Sequence, residues 1–356
     1  MAYTTINKGS NYFNTLIYTG DGTDDRSITG LGFQPDFCWF KDRTGANSHN
    51  LFDSVRGVNL PLLSNATNAE LTGFDLFNSF DSDGFTISGA TADNTNYNGS
   101  QFVSWSWKAA NGTASNTNGS ITSTVSANNT SGFSIVSFTG NETLGATVGH
   151  GLGAVPKVII IKDRDNARNW NVYHASVCDS DFKFLRINTT EALITGGATH
   201  FDISAMSSTV FGLGADNESN PIASAIAYCF TDVKGFSKFG SYTGNGSAGN
   251  GPFVYTGFKP AWVLIKWTGG VEQWQIWDSK RDTYNVQQRV LAPNSSNAED
   301  TNGSGGYLLI DSLSNGFKVR GNPVSNGING SGQNYIYMAF AESPFVGSDG
   351  TPTTAR

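Results

Sequence analysis

Three stretches of this chain repeat one another, and no other feature of the sequence limits the fold as strongly. An aromatic-Thr-Gly turn occurs at Tyr18-Thr19-Gly20, at Phe138-Thr139-Gly140 and at Tyr242-Thr243-Gly244. A Gly/Asn-rich turn follows each one. Next comes an apolar run ending in lysine: GFQPDFCWFK to Lys41, GLGAVPKVIIIK to Lys162, and GFKPAWVLIK to Lys266. LFDSVRG from Leu51 matches QIWDSKRD from Gln275, with NVYHASV from Asn171 as a degraded counterpart. FDSDGFTISG from Phe80 matches DSLSNGFKVRG from Asp311. Each copy closes on an aromatic strand: FVSWSWKA from Phe102, AIAYCFTD from Ala225, and YIYMAFAE from Tyr335. Ordered elements recurring at a period of roughly a hundred residues mark repeated structural units.

The elements read as strands. Val158-Ile159-Ile160-Ile161 is a short β-branched run of the kind buried on both faces. Trp105 and Trp107 flank Ser106, so both rings share one face. Trp107 corresponds to Phe230 and Phe340, and all three are expected to be core aromatic anchors. Asp83-Gly84 and Asn315-Gly316, each followed by Phe, are hairpin turns. The expected fold is all-β: three tandem, diverged β-sandwich modules of a jelly-roll-like kind. Module 1 would span 1–110, with an N-terminal docking segment. A polar linker would occupy 111–132, with a strand at Ile121 to Val125 as an alternative. Module 2 would span 133–233, module 3 would span 234–345 and pack tightly on module 2, and 346–356 would be a flexible tail.

Composition supports strands and turns over helices. Gly numbers 42 of 356 residues and charged residues are only 14%, with Asn, Ser and Thr filling much of the rest. A net charge of −7 with no basic stripe argues against nucleic acid as a partner. No stretch is apolar enough for a signal core or a membrane span, which predicts folding in the cytoplasm without membrane insertion. Cys38, Cys178 and Cys229 read as small buried residues, not a disulfide framework. The sequons at Asn65, Asn141, Asn188 and Asn294 then read as accidents of composition.

Candidate chemistry is sparse. Asp53 and Arg56, echoed by Asp278 and Arg281, suit a base beside an anion clamp. They suit better a charge-assisted pair fixing a turn. His49, His150, His174 and His200 have no metal-ligand spacing, and no nucleophile elbow or phosphate loop is present. Acidic loops (Asp21, Asp24 and Asp25; Asp81 and Asp83) lack the spaced EF-hand pattern, so neither a metal nor a cofactor is expected. Trp267, Trp274 and Trp277 lie near Gly269-Gly270, and Trp170 lies in the matching part of copy two. They are candidate contacts for a sugar or a partner protein, weighed against a role covering their own sandwich. Tyr3, Ile6, Tyr12 and Phe13 lie in the first 17 residues, outside the repeat. They are candidates for docking to a neighbouring protein, weighed against a simple first strand.

GSYTGNG, GPFVYTGFKPAWVLIKW, WDSKR, LSNGFKVR and NYIYMAFAESPF, between Gly240 and Phe345, resemble a repeated module of marine bacteriophage virion and tail-fibre proteins. GLGFQPDFCWFKDR, LFDSVRG, FDSDGFTISG and SWSWKA resemble a second form of it. The resemblance covers nearly the whole chain, least well in copy two, where the Asp-Ser-x-Arg and Asn-Gly-Phe elements are missing. It supplies no catalytic residues. It implies a non-enzymatic virion structural protein in the tail or tail fibre, assembled in the host cytoplasm. Its expected partners are other virion proteins, further copies of itself (a trimer foremost) and a host-surface glycan or protein. A capsid-decorating or head-fibre protein, or a glycan-cleaving depolymerase, are the alternatives.

Overall fold

The computed structural model describes residues 4–89, 95–197, 199–322, 327–347 and 350–352. It is almost entirely β, with 43% strand and 3% helix, arranged as several antiparallel sheets. The first segment forms β1 (Phe13–Thr19), β2 (Arg26–Thr29), β3 (Phe37–Asp42), β4 (Asn50–Asp53), β5 (Gly57–Leu62), β6 (Phe77–Asp81), β7 (Gly84–Ile87) and β8 (Gln101–Trp107). The second forms β9 (Ala114–Asn116), β10 (Ser123–Asn128), β11 (Phe133–Thr139), β12 (Ala146–Gly149), β13 (Val158–Asp163), β14 (Trp170–His174), β15 (Lys183–Arg186), β16 (Ile194–Thr195), β17 (Phe201–Asp202), β18 (Val210–Leu213) and β19 (Ser224–Phe230). The third forms β20 (Ser237–Thr243), β21 (Phe253–Tyr255), β22 (Phe258–Trp267), β23 (Gln275–Asp278), β24 (Ile310–Leu313), β25 (Gly316–Val319) and β26 (Asn334–Pro344).

The pairing order recurs in all three segments. The larger sheets run β1-β8-β3-β4, β11-β19-β13-β14 and β20-β26-β22-β23. The smaller ones run β2-β7-β6, β12-β18-β17 and β21-β25-β24. Registers agree residue for residue: Phe37 faces Trp107, Val158 faces Phe230, and Trp262 faces Phe340. The hairpin glycines have a steric basis. A Cβ on Gly84 or Gly316 would fall 1.9 or 2.1 Å from the carbonyl oxygen of Ile28 or Val254 on the neighbouring strand.

Strand alternation gives each larger sheet two apolar faces. One covers the segment's own small sheet: Cys38, Phe40 and Phe52 pack with Ile28, Phe77 and Phe85 in the first segment. The opposite faces of all three larger sheets meet one another in a shared core holding Phe37, Trp39, Trp105, Ile160, Tyr228, Trp262 and Leu264. Trp107, Phe230 and Phe340 touch pairwise there, with ring centroids 5.5–6.4 Å apart. These anchors therefore bind segment to segment; the expectation placed each in its own sandwich. A void of about 20 Å³ lies among them, lined by Phe37, Trp39, Tyr228, Trp262 and Met338. A hollow so small and apolar stays dry and holds no ligand.

Residues 111–132 are not a polar linker. They contain β9 and β10, and β10 pairs along the outer edge of β11. Ser123 and Val125 turn inward while Thr124 is exposed, so β10 is only partly buried between β11 and the edge strand β9 and needs little apolar content. Within the predicted tail, Val346 bridges Pro352, closing a small turn.

Candidate functional site

The segments grip one another through equivalent residues in a closed ring. His49, Trp170 and Trp274 occupy the same register, each with its backbone N–H donated to an asparagine side chain: Asn65, Asn188 and Asn294 at 2.9, 2.9 and 3.0 Å. The sequons at Asn65, Asn188 and Asn294 thus recur because this turn needs an asparagine. Each ring then reaches a carbonyl of the next segment. Trp170 Nε1 donates to Leu63 O at 2.9 Å, Trp274 Nε1 donates to Arg186 O at 3.0 Å, and His49 Nε2 lies 3.0 Å from Ala292 O. Segment two reaches one, three reaches two, and one reaches three.

The backbone repeats the pattern. Glu70, Leu193 and Glu299 are equivalent, and their N–H groups donate to the carbonyls of Arg164, Thr268 and Arg43 at 2.7, 2.9 and 2.8 Å. The lysines ending the apolar runs belong to the same joints. Lys162 Nζ donates to Thr67 O of the first segment and Lys266 Nζ to Thr190 O of the second. Further carbonyls of their own loops complete the cages around Lys41, Lys162 and Lys266. Burial pushes each lysine down to about 8, and the ammonium remains the form that these carbonyls hold at neutral pH.

The Asp–Arg pairs are structural and sit inside two of the joints. Arg56 Nε meets Asp53 at 2.5 Å, its Nη1 meets Glu70 at 2.8 Å, and Arg164 reaches the same Glu70 from the second segment at 2.8 Å. Arg281 repeats this with Asp278 at 2.5 Å and Glu299 at 2.9 Å, and Arg43 of the first segment reaches Glu299 at 2.9 Å. Neighbouring aromatics complete the cluster: Tyr228 Oη donates to Asp53 at 2.8 Å, and Trp105 Nε1 donates to Asp278 at 2.9 Å. Burial works to raise Glu299, but hydrogen bonds from Arg43 and the charge of Arg281 outweigh it and hold the carboxyl down at about 2. No approach for a substrate exists here, since the Asp and Arg side chains are fully covered.

The tryptophans proposed as outward contacts are placed differently. Trp170 and Trp277 are 0% exposed and Trp274 is 2% exposed. The first and third are the inter-segment donors just described, and Trp277 donates to Leu308 O within its own sandwich. Trp267 is half-buried, folds its ring over Gly270 and donates to Gln333 at 3.2 Å. All four cover apolar surface of their own chain, which is where large aromatic area stabilises most. The N-terminal residues likewise dock internally. Ile6 is 2% exposed in the shared core, Phe13 lies on β1 and stacks on Phe340 at 5.2 Å, and Tyr12 meets Phe236 edge-on at 6.0 Å. Tyr3 lies outside the described residues.

Of the other candidate groups, His200, Asp216 and Glu218 converge in the second segment, with ligand atoms within 4.8 Å of one another. Arg186 already pairs with Glu218 at 2.9 Å, and His200 Nδ1 lies 3.0 Å from Ser219 Oγ. A guanidinium on one carboxylate opposes a second cation there. The acidic loops act as turn locks: Asp83 accepts from Gly30 and Gly32, and Asp21 accepts from Thr23 and pairs with Arg26.

Surface clefts lie at two segment boundaries. One of about 450 Å³ opens between the second and third segments beside Val177, Leu193 and Thr268. Another of about 310 Å³ lies where the first meets the third, between β1 and the turn after β23.

Fold and site together define an all-β, multi-sheet protein whose covered polar clusters serve packing. The chain belongs to the family described as a domain of unknown function (DUF7483), which matches residues 8–344 as one unit. That span takes in all three segments, in keeping with their common core. No curated protein and no solved structure matches the chain.

Proposed function

We propose that this is a non-enzymatic structural component of a bacteriophage particle, in the tail or its fibres, that serves particle assembly and attachment to the host surface. The resemblance of its repeats to virion modules motivates the reading, and one observation carries it. Three β-sheet segments are closed into a ring by a shared aromatic core, with buried ion clusters at two of the three joints, leaving turn-rich loops as the outer surface. Such a body resists deformation while its loops vary, which suits an exposed part of a particle. Assembly with further copies belongs to the same proposal. It would use outer edges such as β1 and β20, because the inward faces are already covered by sister segments.

Locating the chain in intact particles by cryo-EM tests this. Density in the tail is the expected result. Density over the capsid shell replaces attachment with capsid decoration, and absence from purified particles ends the structural reading.

A further inference from the structure

At the joint between the first and second segments, the position of Asp36 is filled. Its carboxylate accepts from Ser54 Oγ at 2.8 Å, Ala109 N at 2.7 Å and Asn111 N at 3.1 Å, with Ser126 of β10 lying over it. At the joint between the third and first segments the equivalent residue is Ala261, and no added strand covers the edge of β1. The space left is the cleft of about 310 Å³. A second hollow of about 200 Å³ shares Ser279 and Thr283 with it and continues it to Tyr284 and Gln287. The strands beneath are bulged at Lys259–Trp262, an irregularity of the kind that re-aims side chains beside functional sites.

Three features of the groove point to a ligand. Thr15 stands where the second segment has Ile135. It is 3% exposed, and its hydroxyl has no hydrogen-bond partner among the described residues. A buried unpaired hydroxyl destabilises by about 1–3 kcal/mol and calls for a partner. Lys259 and Glu342 neutralise each other at 2.8 Å, whereas Lys280 has no carboxylate at ion-pair distance among the described residues. The groove is therefore locally positive on a chain of net charge −7. At its rim, Tyr284 is 81% exposed, an aromatic face free to cover an apolar one.

We propose that this groove binds an acidic saccharide, a short uronic-acid-containing oligosaccharide. Lys280 bonds the carboxylate, Tyr284 stacks on the C–H face of the adjoining sugar, and Thr15, in the floor of the groove, turns its covered hydroxyl about χ1 to meet a ring hydroxyl. The mixture of hydroxyls, amides and small apolar residues matches a sugar ring, which presents both polar edges and apolar faces. The assignment rests on the attachment reading above but does not depend on which part of a particle carries the chain.

The test is calorimetric titration of the full purified chain with tri-galacturonate at low salt, with maltotriose as the neutral comparison. Saturable binding of tri-galacturonate is expected, weakened about fivefold or more by each of Thr15→Val, Lys280→Glu and Tyr284→Ala. Ser241→Ala, in the cleft between the second and third segments, should leave it unchanged. Thr15→Val should also hold or raise the urea midpoint, because it removes an unpaired hydroxyl, so lost affinity would not reflect lost folding. Absence of binding at millimolar sugar, or binding indifferent to the three groove variants, overturns the site. Equal affinity for maltotriose overturns the acidic assignment. Either failure leaves the particle-localisation test untouched.

Discussion

Two of the three segment joints are built on buried ion clusters; the third has only the partly exposed pair Asp232–Lys238. The first and second segments meet through Arg56, Glu70 and Arg164, and the third and first through Arg281, Glu299 and Arg43. At the joint of the second and third the equivalent positions are Val177, Leu193 and Thr268. Asp53 and Asp278 become His174, which burial pushes down to about 4 and so keeps neutral at pH 7. Its partner position changes with it: Tyr228 and Trp105 donate to the aspartates, while Met338 has no proton to donate. His174 Nε2 instead lies 3.3 Å from Tyr337 O. The cluster's charges are thus absent from both sides of one joint together. A charge left alone in such a place would be severely destabilising, whereas exchanging the whole cluster for apolar groups is nearly neutral.

The largest test of that contrast removes one equivalent residue from each kind of joint. Glu299→Ala strands Arg43, leaves Arg281 with Asp278 alone, and should cost about 3–5 kcal/mol in urea unfolding. Leu193→Ala removes only half-buried apolar surface and should cost about 1–2 kcal/mol. Equal losses would mean that the clusters do not hold the ring.

Acid should separate the joints by pH. The Glu299 pKa is held down in the folded state, so its stabilisation is complete above the unfolded value near 4.5 and is lost as pH falls toward 2. That contribution amounts to at most about 3 kcal/mol. His174 is also depressed, but as a base: the unfolded chain takes up its proton first, and stability falls between about pH 6.5 and 4. His49, depressed mainly by burial, adds to the same upper limb. Stability measured against pH should show two descending limbs. Glu299→Gln should flatten the lower and His174→Gln part of the upper, and a variant that shifts the wrong limb would misassign the joint.

A smaller difference is expected one bond further out. Tyr228→Phe leaves the buried Asp53 short of a donor and should cost about 1–3 kcal/mol. Met338→Leu, at the equivalent place, conserves volume with no polar partner and should cost less than about 1.5 kcal/mol. Thermal midpoints of the two variants would decide.

Much of this architecture was legible in the chain. The recurring aromatic-Thr-Gly turn, lysine-ended run and closing aromatic strand correspond to equivalent strands in identical order. The reading of Asp53–Arg56 and Asp278–Arg281 as turn-fixing pairs agrees with their placement. What could not be read was the partner of each sheet's second face. Alternation shows that Trp105 and Trp107 share a side, but not that this side meets two sister segments instead of solvent. Trp170 and Trp274 looked like loop aromatics because glycines or polar residues surround them. The signal that could have placed them was register: each lies four residues before His174 or Asp278, as His49 does before Asp53. The strands within 111–132 were hidden for a related reason, since strands at the end of a sheet, covered on one face, need few apolar residues.

The finest test rebuilds the missing cluster. Val177→Arg, Leu193→Glu and Thr268→Arg together would place the ionic trio in the third joint, where a cleft of about 450 Å³ beside these residues leaves room for the longer side chains. Because a completed buried cluster and an apolar contact are nearly equal in free energy, the triple variant should match the parent within about 1–2 kcal/mol at pH 7. Leu193→Glu alone should be clearly weaker, as an acid without its two arginines. The triple variant should also gain sensitivity to acid below about pH 4.5, as Glu299 confers on its own joint. If the triple variant is no better than the single one, the joints are not interchangeable, and the apolar joint has a geometry of its own that the cluster cannot occupy.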